Sequence, residues 1–376
     1  MKVFLIDQIG NINNKYSFDL CNGLYKNGIN VKLITNDCNN TEGLNVEFKK
    51  IFKSFGRRGK VKKLLQYINS WREIIKYIEI ENIDILHVQW ITFAPVDYYF
   101  LNMISKKRVK IVMTVHDILP FNKKIYDYHY HKKIYNKTDR IILQAKVNVD
   151  RIQQEFNLEK DKCKYIPHGH FISNVKTIDK HVARKALSIA NNKKVFLFFG
   201  QIKKVKGLHI LIQALSLAVK ENKNIYLIIA GKVWKDNFAY YQDIIDKLNL
   251  KDYIRCDIKF IPDEDIGYYF CASDVIVLPY LEIYQSGVVQ LAYAYSKPVI
   301  ATDVGGLGEV VEQNITGVLV PKANKELLAK AIVSFSKESM DAIDKIGANG
   351  KKYAEKNFDW QNICKDVKEL YNNVCM

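Results

Sequence analysis

Val195-Phe196-Leu197-Phe198-Phe199-Gly200-Gln201-Ile202-Lys203-Lys204-Val205-Lys206-Gly207-Leu208 reads as a strand, a glycine turn, a basic loop and the start of a helix. The opening run is short, continuous and rich in aromatic and β-branched residues, the signature of a strand covered on both faces. Gly200 at its end lets the chain turn tightly. A helical pattern then runs over 208–220. A strand followed by a crossover helix returns the chain to the same edge, so its next strand is parallel. The same unit repeats outward from this stretch. Toward the C-terminus, strands are expected at 225–230, 274–278 and 298–301, with helices at 240–248, 287–295 and 325–335. Toward the N-terminus, strands are expected at 3–6, 31–35, 85–88, 110–115 and 140–143, with helices at 16–27, 60–80, 95–106 and 124–137. The alternation predicts an α/β protein with two Rossmann-like parallel-sheet domains facing each other across a cleft. The break is the polar stretch from Pro167-His168-Gly169-His170 to about Asn192. Domains are therefore expected at 1–175 and 190–357, with a C-terminal helix in 358–376 returning to the N-terminal domain. Ligands of such sheets bind at the carboxyl ends of the strands.

Composition narrows the class. The 376 residues are 48% hydrophobic, which excludes a disordered chain. A chain this long needs neither disulfides nor a metal to fold. Its seven cysteines, at 21, 38, 163, 256, 271, 364 and 375, form no C-x-x-C pair, so a zinc ribbon or redox motif is excluded. Scattered thiols are expected in a reducing compartment. The apolar start, Val3-Phe4-Leu5-Ile6, is too short for a signal peptide. The longest nearly apolar stretch, 268–281, contains Asp274 and falls well short of the ~20 residues of a membrane span. The expected location is cytoplasmic.

Charge points to an anionic partner. Lys and Arg number 57 against 40 Asp and Glu, a net charge of +17, of which residues 1–180 carry +13. The stretch 48–72 has no acid and nine cations: Lys49, Lys50, Lys53, Arg57, Arg58, Lys60, Lys62, Lys63 and Arg72. Phe52, Phe55, Leu64, Leu65, Tyr67 and Trp71 are interleaved. This reads as a basic, aromatic-bearing surface segment, with Arg57, Arg58, Lys60, Lys62 and Lys63 on a membrane or acceptor side. It predicts peripheral contact with the anionic inner face of the cytoplasmic membrane. Nucleic acid is not expected, because no nucleic-acid motif accompanies the charge.

Three strand-to-helix turns carry the candidate chemistry. In the first, Gly200 to Gly207, lysines beside a helix start suit a phosphate, although G-x-x-x-x-G-K-[ST] does not fit. The second is Leu278-Pro279-Tyr280-Leu281-Glu282-Ile283-Tyr284-Gln285-Ser286-Gly287-Val288-Val289-Gln290. Here Ser286 is the expected N-cap, and the Gly287 and Val288 amides are placed to hold a diphosphate. In the third, Ile300-Ala301-Thr302-Asp303-Val304-Gly305-Gly306-Leu307-Gly308-Glu309, paired glycines permit close backbone approach. Asp263-Glu264-Asp265 has the form of a D-x-D metal motif but follows Pro262 and opens a helix expected from Asp265 onward, where acids cap the start and complement the dipole. No metal site is expected. An oxidoreductase with a dinucleotide is disfavoured, because no G-x-G-x-x-G follows residues 3–6.

In order and spacing these turns resemble the nucleotide-sugar domain of GT-B glycosyltransferases, family 4 (group 1). The family's G-R-x-x-x-x-K-G stands as Gly200 to Lys206-Gly207, and its GKPV-x-AT-x-x-GG-x-x-E as 296–309. Ile229-Ala230-Gly231, Gly317-Val318-Leu319-Val320 and Phe358-Asp359-Trp360 also match. The first half agrees more loosely, through Thr114-Val115-His116-Asp117 and Ile166-Pro167-His168-Gly169. Three features depart. Gln201 replaces the family arginine, leaving Lys203 or Lys204 to supply the charge. The N-terminal glycine loop is reduced to Gly10. The family's E-x7-E pair falls on Ile283 and Leu291, or one position earlier on Glu282 and Gln290, so the chain resembles a branch with Gln285-Ser286-Gly287-Val288 there.

The resemblance implies a retaining, hexosyltransferase-type enzyme that needs no cofactor or metal. Its co-substrate would be a nucleotide diphosphate sugar and its acceptor a glycan or polyprenyl-linked molecule, in surface polysaccharide or glycoconjugate synthesis. His116 and Lys206 are implied as catalytic. Gly200, Lys203, Lys206, Gly231, Glu282, Gln285, Ser286, Gly287, Val288 and Gln290 are implied as donor-binding. The missing glutamates keep an alternative open: a catalytically weak GT-B partner subunit that binds glycan or protein.

Overall fold

The computed structural model describes residues 1–9, 14–37, 43–53 and 59–376, which form two compact units. Gly10, Arg57 and Arg58 lie outside the described residues. The first unit is Met1–Gly169 with Asp359–Met376; the second is His170–Phe358.

The first unit is built on a seven-stranded sheet with β1 (Lys2–Ile6), β2 (Asn30–Asn36), β3 (Phe48–Phe52), β4 (Ile85–Val88), β5 (Lys110–Val115), β6 (Arg140–Leu143) and β7 (Cys163–Tyr165). The order is β3-β2-β1-β4-β5-β6-β7 and every pairing is parallel. β1, β4, β5 and β6 are buried on both faces along most of their length, which explains why they read as nearly unbroken apolar runs. On one face the helix Asn14–Lys26 packs with the C-terminal helix Trp360–Cys375 through Leu20, Cys21, Leu24, Ile363, Val367 and Tyr371. A Cβ on Gly23 would stand 2.3 Å from Cys364 Sγ, so the two helices need glycine there.

The second unit has β8 (Lys194–Phe199), β9 (Ile225–Ala230), β10 (Ile254–Asp257), β11 (Val275–Leu278), β12 (Val299–Thr302) and β13 (Gly317–Val320). The order is β10-β9-β8-β11-β12-β13, again all parallel. Both sheets therefore have the Rossmann order, and the fold class expected from sequence is present twice.

Three expectations need correction. The chain enters the second unit at His170, before the expected end of the first domain at 175, and residues 180–186 are not a linker but the helix Lys180–Ala186. Charge fixes that helix: Arg184, buried, bonds Asp274 Oδ2 at 2.9 Å and the Ala272 carbonyl at 3.0 Å, and Lys180 bonds Asp274 Oδ1 at 2.5 Å. The basic segment is also less of a surface than its composition suggests. Residues 48–52 are the edge strand β3, and Phe52, Tyr67 and Trp71 are core. The Tyr67 hydroxyl and the Trp71 indole both donate to buried Asp97, whose other oxygen accepts the Thr92 and Phe93 amides. Finally, the helix carrying Asp263-Glu264-Asp265 begins at Asp263 rather than Asp265, with all three acids in its first turn.

Candidate functional site

The second sheet reverses its winding between β8 and β11, which are neighbours. Crevices outside the carboxyl ends of strands form at such switch points. Gly200 follows β8 there, and Pro279-Tyr280 follow β11.

Glycines close the crevice. Gly207, with φ +66°, lies so near the next strand's exit that a Cβ would fall 1.8 Å from the Pro279 carbonyl oxygen. Gly231, with φ +152°, meets the Gly200 carbonyl just as closely. The Leu281 amide donates to the Val205 carbonyl at 2.8 Å, and the Thr302 hydroxyl to the Tyr280 carbonyl at 2.5 Å. The three glycine turns of the sequence thus converge on the segment 279–287.

Lys206 is half-buried, with its ammonium 3.8 Å from the centre of the Tyr280 ring. This cation–π contact steers the charge along the crevice wall. Tyr280 is fully buried, and burial pushes its phenol up to about 12. It escaped the sequence reading because one tyrosine among 23 after a strand-end proline carries no signal.

The helix Gly287–Ala294 starts beside it. Ser286 takes the N-cap position, but its side chain makes no capping bond. The first amides of a helix have no intrahelical partner, so this start has unspent donors and a positive dipole end. Gln290 Oε1 is a buried polar atom without a hydrogen-bond partner among the described residues, and the buried Ser286 side chain hydrogen-bonds the Tyr280 hydroxyl. Val288 Cγ2 would lie 3.6 Å from a Cβ on Gly200, bringing that helix start to the β8 turn. The structure therefore gathers Gly200, Lys206, Gly231, Ser286, Gly287, Val288 and Gln290. Lys203 is half-buried in the same loop, Gln285 is half-buried before the helix, and Glu282 is exposed. The positions matching E-x7-E hold buried Ile283 and half-buried Leu291, and neither can bind a hydroxyl.

His116 belongs to the first unit, directly after β5. It is buried, stacked on Trp90 at 4.3 Å, with Tyr16 edge-on at 5.2 Å. Nδ1 lies 3.1 Å from Gln144 Oε1 and Nε2 3.1 Å from Gln89 Oε1. Burial, first, and the neighbouring His168 push its pKa down to about 3, so the ring is neutral. Gln89 and Gln144 had no sequence signal, because glutamines after strands are unremarkable until the fold aligns them.

Of the basic segment, Lys60, Lys62 and the half-buried Lys63 occupy the first turn of the helix Lys60–Glu81. Val61, Leu64 and Leu65 in the same two turns are exposed. Among the described residues no helix is long and apolar enough to cross a membrane.

Two units in one chain, each built on a parallel sheet in the Rossmann order, define the GT-B class of glycosyltransferases. Residues 179–353 match the model of glycosyl transferases group 1 and residues 14–170 that of glycosyltransferase family 4, and the chain belongs to this family. It is similar to the glycosyltransferase MJ1607 of Methanocaldococcus jannaschii, 26% identical over 62% of this chain and 59% of that protein. The putative glycosyltransferase YtcC of Bacillus subtilis is 26% identical over 70% of this chain and 67% of its own length. In fold the chain resembles Anabaena HepE, solved in complex with UDP-glucose, with a TM-score of 0.80 at 20% identity over 99% of this chain and all of that one.

Proposed function

We propose that this protein transfers a hexosyl group from a nucleotide diphosphate sugar to a hydroxyl of a glycan or polyprenyl-linked acceptor, with retention at the anomeric carbon. The carrying observation is the uncapped helix start at Ser286, whose side chain bonds the Tyr280 hydroxyl, with Lys206 on the Tyr280 ring and Gln290 Oε1 unpartnered in the helix among the described residues. In the reaction the bond from the anomeric carbon to the diphosphate oxygen breaks, and a bond to the acceptor oxygen forms on the same face. The acceptor proton passes to the departing phosphate. The protein's work is then to stabilise the charge that develops on the leaving diphosphate. Lys206, Lys203 and the Gly287 and Val288 amides supply that stabilisation, and with cations and dipole in place no metal is needed.

A lipid-linked acceptor also fits the charge of the first unit. Lys60, Lys62 and Lys63, with Val61, Leu64 and Leu65 exposed beside them, suit an anionic membrane surface on the cytoplasmic side. A second reading, a catalytically weak partner subunit, draws on the apolar residues at the E-x7-E positions. One assay separates the two. The isolated chain, with UDP-glucose as donor, should release UDP in EDTA as fast as in Mn²⁺. Complete loss in EDTA with rescue by Mn²⁺ would overturn the metal-free mechanism. No turnover of any nucleotide sugar would favour the partner subunit.

A further inference from the structure

A buried line of polar side chains crosses the first unit from the C-terminal helix to the carboxyl edge of its sheet. His87 Nδ1 lies 2.6 Å from the Tyr371 hydroxyl. His87 Nε2 lies 2.8 Å from Thr114 Oγ1 and 3.3 Å from the Gln89 amide. The other end of that amide meets His116 Nε2, and His116 Nδ1 meets Gln144, both at 3.1 Å. All these side chains are buried. At the far end the Tyr16 hydroxyl takes hydrogen bonds from Gln144 and Thr114.

Each ring here carries a single proton, because burial holds both His87 and His116 at about 3. Each glutamine has one donor end and one acceptor end, and which end faces which way follows from the network. The line can therefore be satisfied in only two ways, running in opposite directions. Tyr371 chooses between them. Its phenol stays protonated, since burial raises its pKa well above 10.0. The hydroxyl's partner is His87 Nδ1. A buried O–H without an acceptor costs more than an unused lone pair, so the phenol donates. The His87 proton then sits on Nε2, facing Thr114 Oγ1 and the Gln89 carbonyl. Gln89 then presents its N–H to His116 Nε2, its amide ends exchanged relative to the placement in which Oε1 stands 3.1 Å from that nitrogen, and His116 carries its proton on Nδ1, donated to Gln144 Oε1.

We propose that Tyr371, His87 and Gln89 are positioning residues that hold His116 as its Nδ1–H tautomer with both ring nitrogens engaged. The line then ends on the Tyr16 hydroxyl, which takes the Gln144 N–H, so neither imidazole nitrogen is left to meet a sugar oxygen; this last step rests on the transferase reading above. Trp90 and Tyr16 fix the plane of the ring in which the line runs.

The test is a two-bond ¹⁵N–¹H correlation spectrum of the full chain labelled with ¹⁵N-histidine. The expected result is His116 protonated on Nδ1 and His87 on Nε2. Tyr371→Phe keeps the ring packing and removes the donor, so His116 should leave the pure Nδ1–H signature. A residue with only a packing role would lower the melting temperature and leave those nitrogens unmoved. His116 protonated on Nε2 in the wild type overturns the proposal, as do unchanged His116 signals in a folded Tyr371→Phe. The wild-type spectrum decides the direction even if that variant does not fold. The tautomer is read without turnover, so an inactive protein with Nδ1–H His116 counts against the transferase reading alone.

Discussion

In the proposed reaction, Lys206 is the residue on which the chemistry concentrates. Its ammonium rests on Tyr280, and the residue after it, Gly207, lets the loop touch Pro279. Replacing it with Ala removes a charge-assisted contact to the departing diphosphate and leaves the glycine packing intact. The expected loss is about 2–4 kcal/mol of transition-state stabilisation, or two to three decades in kcat. Circular dichroism should be unchanged. Activity within about threefold of wild type would place the leaving group elsewhere. At this scale the sequence showed the lysine, the glycines and the Ser286 cap, because each answers to a local rule of turns and helix starts. It could not show Tyr280 in the second unit, or Gln89 and Gln144 in the first, whose neighbours exist only once distant strands align within each sheet.

Elements show the opposite balance. Periodicity gave β4, β5, β6 and β9 with the ends observed, because strands buried on both faces are apolar throughout. It passed over β3, an edge strand whose Lys49 and Lys50 look like surface, and the helix Lys180–Ala186, whose polar sequence hides a buried ion pair. The helix Lys60–Glu81 divides along its length: Tyr67, Trp71, Ile74 and Ile78 anchor it, and its first two turns stand in solvent. Cations on such a turn contribute about 1 kcal/mol each toward an anionic bilayer, and salt screens them. Replacing Lys60, Lys62 and Lys63 with Gln should release the protein from vesicles of anionic lipid and leave the melting temperature unchanged. Binding of the wild type should fall as salt rises. Sedimentation of the variant equal to wild type would make this turn a solvated helix end.

At the scale of the whole molecule, the first unit carries a pH liability. His87 and His116 are held at about 3 and His168 at about 4 by burial, against 6.5 in the unfolded chain. Below pH 6.5 the unfolded state therefore binds more protons, and stability falls with pH. One pH unit below 6.5 this amounts to about 1.4 kcal/mol per histidine. Asp97, raised by burial to about 6 from 3.8, acts in the opposite sense and offsets less than one of them. Urea unfolding followed by the first unit's tryptophans should show lower stability at pH 5.5 than at pH 7.5; a flat profile would mean that the histidines are hydrated.

The central claim is that the second unit binds a nucleotide diphosphate sugar at the helix start beside Lys206. Ligands that bind only the folded state stabilise it by mass action. A thermal-shift titration of wild type and Lys206→Ala against UDP-, GDP- and ADP-sugars measures this most directly. The account predicts that one donor raises the wild-type melting temperature in a concentration-dependent way and that the variant responds far less. No shift with any nucleotide sugar, or an equal shift in both proteins, would contradict it.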